Sequence, residues 1–566
     1  MWHWLVEVLQ HHPEMALFLT LGLGYAIGKI RLGSITLGAV VGVLIAGVIV
    51  GQLGVKVSAD LKTAFFLLFL FSIGYRSGPQ FFSGLRSSGL PQVALTVVLC
   101  GTALGVAYAL ARVFGFDPGI SAGLMGGALT ESAAVGTGTD AINRLPMDAA
   151  MKEQLISSTA VAFAVTYFLG VITTITIVSR LGPKLLGGDL EASCKALEKE
   201  MGVMPEGQDA ATGYRPFAAR TYRVDLDTYA GRTVGEIEKT FLGKQRRVFI
   251  ARMRHGGAVV DTDLDTRIQK GDTIALTGRR AFIIPAETEI GPEVDDPELL
   301  SFPVQTLEVV VTRDGLIGKT LVDLGANPGE AARGVGLRRI TRVGVELPLT
   351  PKTTIARGDV VTLVGPRSAV ERLSKEIGYP DRPTDVTNMV GVGLAIFLGG
   401  LIGIPALSVG KLEIGLSQSV GVLIGGLVFG WLRSVDRRFV RLPEAALWLF
   451  DSVGLTAFLA ATALAAGPDF VAGLQKSGLS LVVAGLLLTT IPIVVTLLVG
   501  RYVARMHPGI LLGVCCGAIT SAPSLAAVQE VAKSKIPTLG YGVTYAVGNV
   551  LLALWGSLIV ALTQGG

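Results

Sequence analysis

The sequence predicts a polytopic α-helical membrane protein: two inverted repeats of five spans plus a re-entrant hairpin each, with two small α+β soluble modules inserted between them. Three observations predict it. Nearly all the long apolar runs lie in residues 14–180 and 387–563, while residues 181–386 read as an ordinary soluble protein. The two apolar halves match each other in order. Their matching loops carry opposite Lys/Arg bias, as inverted repeats require.

The composition agrees. The 566 residues are 50% hydrophobic, with a mean hydropathy of +0.57, and only 16% are charged. A soluble chain carries about 25% charge. The net charge of +5 gives no reason to expect a nucleic-acid partner. Cys100, Cys194, Cys515 and Cys516 show neither disulfide nor zinc spacing, and His11, His12 and the other histidines lack metal spacing. No G-x-x-x-x-G-K-[ST] loop is present, so nucleotide hydrolysis is not expected to drive the protein. No metal, no cofactor and no catalytic constellation is expected.

A span needs about 20 mostly apolar residues. The first half supplies them near 14–30, 35–53, 60–78, 90–114 and 154–180. Residues 1–13 have no Lys or Arg, hence no basic signal-peptide region, and the first run is read as an uncleaved span starting outside. Lys29, Arg31, Arg76, Arg86, Arg180 and Lys184 then fall inside. Arg112, Arg144 and Lys152 fall outside, partly balanced by Asp117, Asp140, Asp148 and Glu153. The second half has spans near 387–404, 415–432, 444–466, 478–500 and 538–563, placing Arg433, Arg437, Arg438, Arg441, Arg501 and Arg505 inside. Its segments repeat the first half: Gly22–Ile27 with Gly391–Ile396, Val41–Gly51 with Val420–Gly430, Gly78–Leu90 with Gly467–Leu479, and Asp117–Ser132 with His507–Ala522. Full crossing by the Gly-rich segments 118–139 and 508–530 would break the charge rule, so both are read as re-entrant, buried in protein or lining a cavity.

Boundaries follow: a membrane repeat over 1–180, a linker over 181–214, modules over 215–290 and 301–378, and the second membrane repeat over 387–566. The modules repeat at a spacing of 318 − 231 = 87. Gly231-Arg-Thr-Val matches Gly318-Lys-Thr-Leu, and the Lys270–Gly278 segment matches Arg357–Gly365. Alternating segments such as Thr221–Asp225 and Leu307–Val311 read as strands, and Gly-Asp at 271–272 and 358–359, each before an apolar β-branched run, reads as a turn entering a strand.

With G-[RK]-T-[VL], a later Arg (Arg252 or Arg342) and [KR]-G-D-x-[IV]-x-L-x-G, each module resembles the TrkA-C regulatory domain of RCK potassium-channel and potassium-transporter proteins. The whole chain resembles the aspartate–alanine exchanger family, on its arrangement and on Ile73–Phe82, Gly127–Ser132 and Gly517–Ser524. That resemblance implies exchange of small amino acids or dicarboxylates across the bacterial inner membrane, a homodimer, a cytoplasmic insert and a small regulatory ligand on it.

Transport residues are expected in the re-entrant segments, where broken helices offer backbone N–H groups and positive dipole ends to carboxylates. The candidates are Thr130, Glu131, Ser132, Gly136, Thr137, Gly138 and Thr139, with Thr520, Ser521, Pro523 and Ser524 in the second segment. The bland alternative is that small residues there merely allow close helix packing. Arg76 is read either as a two-pronged carboxylate ligand or as a snorkelling anchor. Asp451, an acid inside an apolar run, could bind a coupling cation or proton, or pair with an Arg of the 433–441 loop, and Glu131 is open to the same readings. Asn143, Gln529 and Asn549 carry less weight. The rival functions are a monovalent cation antiporter and a channel gated by the modules. The filter-like Ala134–Gly138 lacks an aromatic residue and has no counterpart in the second repeat. A membrane sensor without transport leaves the duplication unexplained.

Overall fold

The computed structural model describes the chain except for residues 1, 33–34, 85–88, 202–216, 244–247, 285, 302–303, 327–329, 343–344, 381–385, 410–411, 416, 436–441 and 565–566. Arg86, Arg437, Arg438 and Arg441, named above for their charge, therefore lie outside the described residues, as does most of the linker after residue 201. The chain forms two units. One joins Met1–Leu197 to Pro383–Gly566, and the other is Glu198–Arg382.

The first half of the membrane unit contains α1 (Pro13–Gly28), α2 (Ala39–Gly51), α3 (Ala59–Gly84), α4 (Leu90–Phe114), α5 (Pro118–Ala128), α6 (Ser132–Arg144), α7 (Ala149–Thr176) and α8 (Leu190–Glu200). The insert contains β1 (Phe217–Arg223), α9 (Val234–Gly243), β2 (Val248–His255), β3 (Ala258–Asp261), β4 (Thr273–Arg279), β5 (Val304–Val311), α10 (Leu321–Ala326), β6 (Gly336–Arg342), β7 (Val345–Glu346), β8 (Val360–Pro366), α11 (Arg367–Ile377) and β9 (Gly378–Pro380). The second half contains α12 (Met389–Gly403), α13 (Gln418–Val435), α14 (Glu444–Trp448), α15 (Gly454–Tyr502), α16 (Pro508–Ala518), α17 (Ala522–Ala532) and α18 (Thr538–Thr563).

Six of the described helical stretches are long and apolar enough to cross a bilayer: Leu90–Phe114, Ala149–Leu185, Gln418–Val435, Glu444–Pro468, Gly478–Tyr502 and Thr538–Thr563. Helices α1, α2 and α12 have only 16, 13 and 15 residues. A break was expected between 466 and 478, but α15 runs 49 residues through it. At 1.5 Å per residue that is about 74 Å, far beyond a hydrocarbon core of about 30 Å. The helix persists because Gly467 and Pro468 sit in a sequence that otherwise propagates helix, so the boundary between two spans is marked by polarity and not by a turn.

The repeats pack reciprocally through backbone contacts that only glycine permits. A Cβ on Gly47 of α2 would stand 2.5 Å from the Ala463 side chain of α15, and one on Gly51 would stand 2.4 Å from the Leu464 carbonyl. In the mirror arrangement, a Cβ on Gly426 of α13 would stand 2.5 Å from the Phe71 carbonyl of α3, and one on Gly430 would stand 2.1 Å from the Tyr75 carbonyl. Small residues let membrane helices approach this closely, which is the source of their packing energy. The first pairing behaves differently. Gly42 fits against Gly24 and Gly28, and its counterpart Gly421 fits against Gly399 and Gly403. Residues 24 and 28 thus correspond to 399 and 403, six residues away from the Gly22–Ile27 with Gly391–Ile396 match read in the sequence.

Each insert module is an antiparallel sheet. The strand orders are β1-β4-β2-β3 and β9-β5-β8-β6-β7, so the second repeats the first and adds β9 at its edge. Details repeat at the same spacing of 87. A bulge makes the ladder register pass over Ala251 in β2 and Arg338 in β6. The Gly-Asp carboxylates act alike: Asp272 accepts from the Gln269 N–H at 2.8 Å and Asp359 from the Ala356 N–H at 2.8 Å. The cationic partner of the second is Arg342, at 2.7 Å. In the first module that place is taken by His255, 2.7 Å from Asp272, while Arg252 pairs with Asp261 on the neighbouring strand. Arg333 of the second module binds Glu238 of the first at 2.8 Å and donates to the Ile250 and Thr262 carbonyls.

Candidate functional site

The segments read as re-entrant are helical hairpins, α5–α6 and α16–α17, and their tips are built alike. Each first helix ends in a Schellman motif, with the N–H of the second residue after the cap reaching back five residues. The Glu131 N–H bonds the Gly126 carbonyl at 2.8 Å and the Thr130 N–H the Gly127 carbonyl at 3.0 Å. In the second hairpin the Ser521 N–H bonds Cys516 at 2.9 Å and the Thr520 N–H bonds Gly517 at 2.8 Å. The left-handed position is normally glycine. Here it is a threonine both times, with φ 57° at Thr130 and φ 57° at Thr520. A β-branched residue there is a genuine outlier, costing about 1–3 kcal/mol, and such strain clusters at functional sites.

The next residue caps the second helix of each hairpin. A Glu131 oxygen accepts the Ala133 N–H at 3.0 Å. The Ser521 hydroxyl accepts the Ser524 N–H at 3.4 Å and lies 2.7 Å from the Ser524 hydroxyl. The tips meet. Thr130 donates to the Ile519 carbonyl at 3.3 Å, and Thr520 returns the gesture by facing the Glu131 carboxylate. The N-terminal ends of α6 and α17 are thereby brought to one place. Ser132 is buried, whereas Ala522 and Pro523 at the corresponding turn are exposed.

The remaining α6 candidates are packed deeper. Gly136 faces the Phe66 ring, and a Cβ there would stand 1.9 Å from its Cζ. Thr137 donates to the Ala553 carbonyl of α18 at 2.7 Å, and Thr139 to the Val135 carbonyl at 2.9 Å. A Cβ on Gly138 would meet the Ala122 side chain at 2.8 Å. Asn143 offers its carbonyl to Lys152, Gln529 donates to the Thr538 hydroxyl at 2.6 Å, and Asn549 donates to the Tyr545 carbonyl.

Arg76 and Asp451 come together, 3.9 Å apart, with Glu444 3.5 Å from the same guanidinium. Asp451 is thus paired with an arginine of the other repeat; Arg437, Arg438 and Arg441 of the 433–441 loop lie outside the described residues. Asp451 sits in a π-helical turn, Leu449–Val453, between α14 and α15. Such bulges occur often at functional sites.

Two residues escaped the sequence reading. Tyr167 of α7 and Tyr545 of α18 both stand within electrostatic reach of Glu131, and Tyr545 also of Asp451 and Arg76. They occupy equivalent places: a Cβ on Gly127 would lie 2.0 Å from the Thr166 hydroxyl, and one on Gly517 would lie 2.0 Å from the Thr544 hydroxyl. The signal was present as V-T-Y-x-x-G, at Val165–Gly170 and Val543–Gly548.

Apolar spans, paired hairpins and the inserted sheet modules define the class: a membrane transporter carrying a TrkA-C regulatory domain. The model of the predicted permease membrane region matches residues 16–183 and 391–561, and the TrkA-C domain model matches residues 306–378. The chain belongs to this permease family, the membrane region of the aspartate–alanine exchangers. It is 40% identical over 565 residues to an uncharacterized transporter of Shewanella oneidensis, covering 99% of this chain and 100% of that one. A second uncharacterized transporter, from Bradyrhizobium diazoefficiens, is 40% identical over 518 residues, 91% of this chain and 99% of its own. One from Zymomonas mobilis is 33% identical over 564 residues, 99% of each chain. No solved structure matches.

Proposed function

We propose that the protein is a secondary active transporter of the bacterial inner membrane that exchanges small carboxylates or amino acids, aspartate, alanine or a dicarboxylate, by alternating access. The observation that carries this is the meeting of the two tips. Helix N-termini attract anions through free N–H groups and the helix dipole. Here two of them, one from each repeat, converge beside the hydroxyls of Thr130, Thr520, Ser521 and Ser524. Arg76, half-exposed beside Asp451, adds a guanidinium within reach of the same tyrosine as Glu131.

In this reading the hairpins enter from opposite faces, the insert is cytoplasmic, and a homodimer carries a small regulatory ligand on its modules. The cation-antiporter alternative loses support because Asp451 already has a cationic partner in Arg76.

The test is uptake into proteoliposomes loaded with unlabelled aspartate, alanine or succinate, following labelled aspartate. Entry that depends on the internal solute, and that falls at least about tenfold in Arg76→Ala or Thr130→Ala, is expected; tenfold corresponds to about 1.4 kcal/mol of barrier. Rubidium or sodium flux without aspartate entry would instead establish cation transport.

A further inference from the structure

Glu131 is an acid at the point where the two repeats meet, and its surroundings differ from those of every other intramembrane acid discussed above. Its side chain is nearly buried, with the residue 3% exposed. Asp451 has Arg76, and Asp140 on α6 has the Ser419 hydroxyl and the nearby charge of Arg144. Among the described residues no cation faces Glu131. What faces it is the Ala133 N–H from its own helix, Thr520 from the second hairpin, Cys100 from α4, Tyr167 from α7 and Tyr545 from α18. All are neutral donors. The repeat-equivalent of Glu131 is Ser521, so the two convergent helix starts are unlike: one holds its own carboxylate, the other a hydroxyl.

A substrate carboxylate drawn to the α17 start must come close to the Glu131 carboxylate. Two carboxylates a few ångströms apart in a dry site cannot both stay ionised, and they share a proton. We propose that Glu131 is the titrating group of this transporter, taking up one proton when a carboxylate binds between the hairpin tips and releasing it when the site empties. The step balances simply: hydronium on the open side gives its proton to a carboxylate oxygen of Glu131, leaving water, and the carboxyl then donates a hydrogen bond to the incoming substrate oxygen. Thr520, which can donate or accept, turns with either state. The proposal rests on the exchange reading for the identity of the ligand.

The test is calorimetric binding of succinate, aspartate and alanine to the intact protein in lipid nanodiscs, in buffers of different ionisation enthalpy. The buffer dependence reports the protons taken up. For each ligand that the wild type binds, uptake approaching one proton per site is expected, with affinity falling about tenfold per pH unit once Glu131 is ionised in the free protein. Glu131→Gln, neutral at every pH, is expected to bind without proton uptake and without that slope. Glu131→Asp is expected to keep the uptake with a displaced midpoint, and it carries the test if the Gln variant does not fold. Binding by the wild type without proton uptake overturns the proposal while leaving the exchange reading intact. So does a Gln variant that keeps the wild-type slope. Binding of none of the three ligands overturns the exchange reading itself.

Discussion

At the scale of single residues, the two left-handed threonines separate strain from function. Glycine adopts φ 57° freely, so Thr130→Gly and Thr520→Gly remove the backbone penalty of about 1–3 kcal/mol each, at some cost in unfolded-chain entropy. Both variants are expected to unfold at the same or higher temperature than the wild type and to lose exchange. A loss of stability in both, measured by thermal unfolding in detergent, would mean that the hydroxyls hold the tips together and the strain is incidental. Gly136 gives the opposite case. An added methyl must displace Phe66, whose ring lies tilted against Phe458 with centroids 4.6 Å apart. Gly136→Ala should cost about 1–3 kcal/mol as overpacking, and Phe66→Leu in the same chain should restore much of it. The polar tips were legible because Thr130 and Thr520 recur at matching places in an apolar background. Their φ was not, since threonine is among the residues least expected there. Tyr167 and Tyr545 were hidden by ordinary helix composition, and Gly136 reads as packing only once Phe66 is seen against it.

At the scale of elements, the two hairpins share a tip but not a base. The first is self-contained: Asp117 caps α5, accepting the Ile120 N–H at 2.7 Å, and Ser158 of α7 donates to the same carboxylate at 3.2 Å. In the second, His507 stands at the place of Asp117 and is held from outside the repeat, its Nε2 3.0 Å from the Ser193 hydroxyl of α8. The far end is held there too, where Lys533, in a left-handed cap with φ 45°, pairs with Glu191 at 3.0 Å. Helix α8 thus grips both ends of the second hairpin, and the chain continues from α8 into the insert. Glu191→Lys reverses one grip, and Lys195 and Lys533 then repel it. Hydrogen exchange followed by mass spectrometry is expected to speed up over 508–532 and stay unchanged over 118–144; equal rates in both hairpins would show the grip to be ornamental. None of this was legible in the sequence. Residues 181–214 read as a linker because α8 is short and polar, and its partners lie more than 300 positions away in the chain.

At the scale of the whole molecule, two kinds of physics hold two units. The membrane unit depends on backbone approach at glycines such as Gly47, Gly51, Gly426 and Gly430, none of which titrates. Duplication was legible wherever those contacts keep a fixed residue order, and it was misread by six residues at α1 and α12, where apolar glycine runs resemble each other in any register. The first module of the insert has a hydrophobic core that includes Tyr222, Ile237, Phe241, Ile250 and Leu276, and the insert's turns are fastened by carboxylates. Hydrogen bonds from Arg254 hold the Asp296 carboxyl below the usual carboxylate range, those from Thr320 do so for Asp323, and those from Arg223 for Asp225. For a group whose folded pKa is depressed, the stabilisation is complete above the unfolded value, about 3.9 for Asp, and is lost as pH falls through the folded value. The insert is therefore expected to loosen below about pH 4 while glycine packing in the membrane unit does not respond. All 5 tryptophans lie outside the insert, so their fluorescence reports the membrane unit alone. Exchange-protected amides over 217–279 and 304–366 should open in acid before tryptophan fluorescence changes. A single transition seen by both probes would show that the insert and the membrane halves stand or fall together. Arg254→Gln should move the loosening of the first module to higher pH and leave the second module where it was.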